Sequence, residues 1–118
     1  MKRIIVSSEL DRKMYKVEVT WHAWGQTMTV SETYDIEAST DQEAIVDALE
    51  CAKSDLHVED LYQVDEDEWE ALIDFAYQDM ETLFHHIGGV TENEAYENAI
   101  NEAASLFSTE ILFTYDKE

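Results

Sequence analysis

Asp67, Glu70, Asp74 and Glu81 recur at the three-, four- and seven-residue spacing that lines side chains along one face of a helix. With Trp69 at the centre of a buried face, 100° per residue places these four, together with Gln78 and His85, in one outward band. From residue 67 to residue 81 that band is about 21 Å long at 1.5 Å per residue. Like charges at such spacing cost roughly 0.2–0.5 kcal/mol per pair, and soluble helices usually relieve them with Lys four residues on. Here no Lys or Arg stands between Lys53 and Lys117. An unrelieved row of carboxylates suits one task, the capture of Arg and Lys side chains on a partner. Glu94, Glu97 and Glu102, with Glu92, extend the theme to a later predicted helix, and Asp41, Glu43, Asp47 and Glu50 to an earlier one. Trp24, beside a predicted hairpin turn, is the candidate aromatic anchor.

Other chemistries are poorly served. Glu81 and His85 are helical neighbours that two-point a metal at best, and the histidines His22, His57, His85 and His86 form no ligand spacing, so no metal or other cofactor is expected. The stretch Asp65-Glu66-Asp67-Glu68-Trp69-Glu70 lacks the Gly that a calcium loop needs at its sixth position. Gly88-Gly89 lacks the Lys and the spacing of a phosphate-binding loop, and is expected to follow a helix where such loops follow a strand. Cys51 lies in a predicted helix beside Asp47 and Glu50, whose charge opposes its thiolate. Carboxylates are so abundant that no pair stands out as acid and base, and a binding role is expected in place of catalysis.

Composition supports that direction. The 118 residues hold 28 Asp and Glu against 7 Lys and Arg, a formal net charge of −21. Five of the bases are Lys2, Arg3, Arg12, Lys13 and Lys16, so residues 1–14 read as a basic, flexible N-terminal segment of a single domain spanning 1–118. Such charge repels nucleic acid and anionic lipid, excluding direct contact with either. The 45% apolar content is enough for a core, which argues against disorder. A halophile's surface is the competing explanation of the acidity, but Glu outnumbers Asp 17 to 11 and the bases cluster at one end. No membrane span, signal peptide or disulfide is read, and the cytoplasm is the expected compartment.

The elements that must position these groups follow from periodicity. Tyr15, Val17, Val19, Trp21 and Ala23 alternate with polar residues, Gly25-Gln26 suits a tight turn, and Met28, Val30, Tyr34 and Ile36 resume the period of two, with Glu32 expected to mark either a bulge or a stretch that runs past the sheet. Overlapping capping boxes, Ser39 with Gln42 and Thr40 with Glu43, open a helix to about residue 54. Residues 56–64 read as a short strand. Asp65 with Glu68 then caps a helix of about 22 residues closed by Gly88-Gly89, with Trp69, Leu72, Ile73, Ala76 and Tyr77 inward and Phe75 off its apolar stripe. Thr91 with Glu94 opens a third helix, and Ile111, Phe113 and Tyr115 mark a closing strand that joins the hairpin's sheet. The expected fold is α+β, in the order β-β-α-(β)-α-α-β, with three helices and no internal repeat.

In size, charge and helical rows of Asp and Glu, the chain resembles the small acidic DNA-mimic inhibitors of phages and mobile elements, of the anti-restriction and anti-CRISPR type. The likeness is one of class, carried by charge pattern without a shared motif. It implies a cytoplasmic partner with a basic nucleic-acid surface, a nuclease or DNA-binding protein, whose Arg and Lys are taken up in place of phosphates. The alternative is an acidic adaptor that escorts a basic partner, or oligomerises, without inhibiting it.

Overall fold

The computed structural model describes residues 12–23, 29–76 and 81–116. Among them are six strands and two helices: β1 (Lys13–Trp21), β2 (Val30–Ala38), α1 (Asp41–Ser54), β3 (Leu56–Asp65), β4 (Glu68–Phe75), β5 (Thr82–Gly88), α2 (Glu92–Ala104) and β6 (Phe107–Tyr115). The strands form two antiparallel three-stranded sheets, ordered β2-β1-β6 and β3-β4-β5. The class is α+β, but the expectation of three helices is wrong. The predicted helix over 65–87 is instead β4 and β5.

The reason lies in two periods that overlap in one segment. Trp69, Ala71, Ile73 and Phe75 are all buried, and they alternate with Glu68, Glu70 and Leu72, which are only half-buried. A strand places Phe75 with the other three; the helical stripe had to leave it out. Aromatic and β-branched residues favour the extended form. What decides the competition is β3, whose backbone pairs with β4 from Leu56↔Phe75 to Asp65↔Glu68. The capping box expected at Asp65 is a turn, in which Asp65 Oδ1 accepts from the Glu66 N–H.

The other elements form where periodicity placed them. β1 and β2 pair without a break in register, from Lys13↔Ala38 to Trp21↔Val30, so Glu32 forces no bulge and sits half-buried on the edge strand β2. Their Gly25-Gln26 turn, and Trp24 with it, lie outside the described residues. Thr40 and Thr91 cap the two helices by accepting from the Glu43 and Glu94 N–H groups. Each of these Glu carboxylates reaches back, Glu43 to the Ser39 N–H and Glu94 to that of Val90. The closing strand joins the first sheet beside β1, from Trp21↔Phe107 to Met14↔Tyr115. No described helix is long and apolar enough to cross a membrane.

An internal duplication organises all of this, contrary to the expectation of no repeat. The run β1-β2-α1-β3 is repeated as β4-β5-α2-β6. Tyr15, Val17, Val19 and Trp21 correspond to Trp69, Ala71, Ile73 and Phe75, and Ala44, Ala48 and Ala52 on α1 to Ala95, Ala99 and Ala103 on α2, all buried. Each half lends its last strand to the other: β3 completes the sheet of β4 and β5, and β6 that of β1 and β2. Even the bonds at the crossovers correspond, the His22 N–H donating to Leu106 O and the Ala76 N–H to Asp55 O. The alanine stripes let α1 lie close on the first sheet and α2 on the second. Between the sheets an aromatic cluster joins Trp21 to Phe75 and Phe84, at 6.1 Å each, and Phe75 to Phe107, at 5.0 Å. The buried indole of Trp21 donates to Ala103 O, tying the first sheet to the second helix.

Candidate protein-docking surface

Because the segment 68–75 is a strand, its carboxylates do not form the expected helical band. Asp67 stands exposed in the turn between β3 and β4, Glu70 is half-buried on β4, and Glu81 is exposed just before β5. Asp74 is only 4% exposed, the one buried charged residue among those described, and cannot present a bare charge to a partner. On α2, Glu97 and Glu102 are exposed, whereas the carboxylate of exposed Glu94 is spent on the Val90 N–H.

β4 turns Glu68, Glu70, Leu72 and Asp74 to the face of the second sheet opposite its core. There Glu70 meets Tyr62 of β3, whose hydroxyl donates to it at 2.7 Å, and His85 of β5, whose Nδ1 lies 2.9 Å away. These two partners, Tyr62 first, hold the Glu70 carboxyl below its ordinary range. Glu68 pairs with His86 Nδ1 at 2.6 Å. A bulge in β5 makes this possible: Ala71 pairs with Phe84 and Trp69 with Ile87, so both histidines oppose the single residue Glu70. His86 takes the left-handed conformation there, with φ 61°.

At the other end of the same face, carboxylate oxygens of Glu59, Asp74 and Glu81 all lie within 4.8 Å of one another. Hydrogen bonding to Asp74, followed by the charge of Asp74, raises the Glu59 carboxyl above its ordinary range. Three hard oxygen donors are half or fewer of those a calcium ion gathers, and among the described residues no imidazole or thiolate joins them.

The rest of the β3–β4 hairpin is rich in exposed carboxylates, of which Asp60 and Asp65 each accept one backbone N–H, from Leu61 and Glu66. Asp60, Asp65, Glu66 and Asp67 are exposed, and the backbone at the tip is held by the Gln63 side chain donating to Glu66 O. The cations lie elsewhere. Arg12 bridges Glu37 and Glu43 at 3.6 and 3.3 Å, and Lys16 binds Asp35 at 2.8 Å, on the first sheet. Lys16 and then Tyr115 hold the Asp35 carboxyl low, and the Ser39 N–H with Arg12 does the same for Glu43. Arg12 and Lys16 thus pair with carboxylates of the first half, whereas the stretch from residue 54 to residue 116 contains no Lys or Arg of its own.

Sequence reasoning missed Glu59, Asp60, Tyr62, Glu66 and Glu68 as members of this surface. The signal was present in the alternation of Glu68, Glu70, Leu72 and Asp74 with the apolar series from Trp69 to Phe75. No family model matches the chain, and neither a curated protein nor a solved structure is similar to it.

Proposed function

We propose that the chain is an inhibitor that binds a basic nucleic-acid-binding protein, a nuclease or DNA-binding protein, and occupies its nucleic-acid site. The observation that carries this reading is the exposed run Glu59, Asp60, Asp65, Glu66 and Asp67 on the β3–β4 hairpin, with no Lys or Arg between Lys53 and Lys117 in the sequence to neutralise it. These carboxylates lie along β3 and the turn beyond it and offer a row of negative charge, those of β4 being half-buried beside histidines or buried. Duplex DNA offers the same to Arg and Lys. Glu97 and Glu102 of α2 add to the field. Asp74 and Glu94 take no direct part, the first being buried and the second a helix cap.

The test is displacement of labelled duplex DNA from candidate nucleases of the source organism. The chain should release the DNA, and release should fade as salt rises from about 0.1 M to 1 M and the screening length falls from about 10 Å to 3 Å. Changing Asp60, Asp65 and Asp67 to Asn and Glu66 to Gln should weaken it at least tenfold. Binding that leaves the DNA in place would favour the escorting adaptor, and affinity indifferent to salt or to the four substitutions would exclude the charge-based reading.

A further inference from the structure

The duplicated fold sets α1 beside α2, and equivalent stripes of the two helices line the cleft between them. Val46, Leu49, Glu50 and Lys53 on α1 stand where Glu97, Ile100, Asn101 and Ala104 stand on α2. A cavity of about 330 Å³ opens among Lys53, Tyr96, Glu97, Ile100 and Asn101. A second of about 280 Å³ opens among Val46, Leu49, Glu50, Lys53, Ala104 and Phe107. The two are related by the repeat, since Glu97, Ile100 and Asn101 of the first are the counterparts of Val46, Leu49 and Glu50 of the second. The second is walled mainly by the apolar groups of Val46, Leu49, Ala104 and Phe107, whereas the first sets Tyr96 and Ile100 among the polar Lys53, Glu97 and Asn101. Val46 is 47% and Tyr96 46% exposed, although each lies on a helix whose other face is well buried. The charges at the rim are Glu50, Glu97 and Lys53.

We propose that this cleft docks an amphipathic helix of a basic partner protein, with one apolar side chain entering each cavity and Lys or Arg residues meeting Glu50 and Glu97. A third helix laid in the groove between two buries its apolar side against both. The charge of the chain selects the occupant. A second copy would bring the same −21 and its own Glu50 and Glu97 to the cleft, whereas a basic helix is drawn in by the field. The proposal rests on the reading of the partner as basic and adds an apolar anchor to it, the kind of contact that carries affinity once charges have brought two surfaces together.

Two synthetic Lys-Ala helical peptides of equal charge test it against the full-length chain, one with two Leu four residues apart and one with Ser in their place. The Leu peptide should bind at least tenfold tighter. The double variant Val46→Glu and Tyr96→Glu, exposed changes that make the chain more acidic, should lose that preference while binding the Ser peptide at least as well as the parent does. Equal affinity of the parent for both peptides, or a preference that survives in the variant, would overturn the cleft and leave the acidic hairpin as the docking surface. Failure of both peptides to bind at low salt would sink the cleft and the basic-partner reading together. Dimerisation of the parent that the double variant abolishes would assign the cleft to a second copy and refute the proposal.

Discussion

Replacing Gly89 with Ala should cost the fold a substantial part of its stability. Gly89 lies between β5 and α2, where its N–H donates to Asp67 O at 3.1 Å and its carbonyl accepts from the Trp69 indole at 2.9 Å. A Cβ built there would lie 2.8 Å from the Ala95 nitrogen, 2.9 Å from its Cα and 3.0 Å from its Cβ. None of these atoms belongs to a flexible side chain. Ala95 is fully buried, and its N–H is held by Thr91 O at 2.9 Å in the first turn of α2. Relief therefore requires the helix to shift by several tenths of an ångström or the two Gly89 bonds to loosen. Overpacking of this kind costs about 1–3 kcal/mol. At this chain length each kcal/mol moves the melting temperature by about 3–6 °C, so a fall of roughly 5–15 °C is expected by circular dichroism. Gly88→Ala is the control: nothing lies within 4 Å of a Cβ there, and the change should stay within about 0.5 kcal/mol. If Gly89→Ala melts with the parent, α2 does not approach the end of β5 this closely, and the packing argument fails.

Two further outcomes test the strand assignment and the carboxylate cluster. Phe75 is 1% exposed between Trp21 and Phe107, so Phe75→Ala should cost about 3–5 kcal/mol in urea unfolding and Phe75→Leu distinctly less, while Leu72→Ala on the opposite face costs less than Phe75→Ala; the reverse ranking would restore the helix. Glu59 has a folded-state pKa raised above its ordinary value, so the folded chain holds more protons than the unfolded one and ionisation of Glu59 at neutral pH opposes folding. That penalty disappears as pH falls through the raised pKa and then the ordinary one of about 4.3. Glu59→Gln should therefore raise the melting temperature at neutral pH and lose its advantage near about pH 4, whereas a shift independent of pH would exclude the repulsion between Glu59 and Asp74 as its cause.

Local signals in the chain were enough for β1, β2, both helices and the final strand, because each is set by residues within one turn or one strand of its neighbours. Thr40 with Glu43 and Thr91 with Glu94 cap helices wherever a helical run follows, and Tyr15 to Trp21 can bury one face only by extending. Net charge is likewise a property of composition. The segment from Trp69 to Phe75 was different, since its apolar residues satisfy periods of 3.6 and 2 almost equally well. The tie is broken by hydrogen bonds to β3, which local periodicity does not reveal. The same long-range pairing decides which carboxylates a partner can meet: it buries Asp74, bonds Glu70 to Tyr62 and His85, and projects Asp65, Glu66 and Asp67 at a hairpin tip. The repeat is faint in the sequence because its inward residues and helix caps correspond while many outward ones diverge, with Lys16 where Glu70 stands. Burial constrains size and shape on the core face and leaves the solvent face free, so two halves with one architecture carry opposite charges at equivalent places, and only the exchange of β3 and β6 makes their kinship visible.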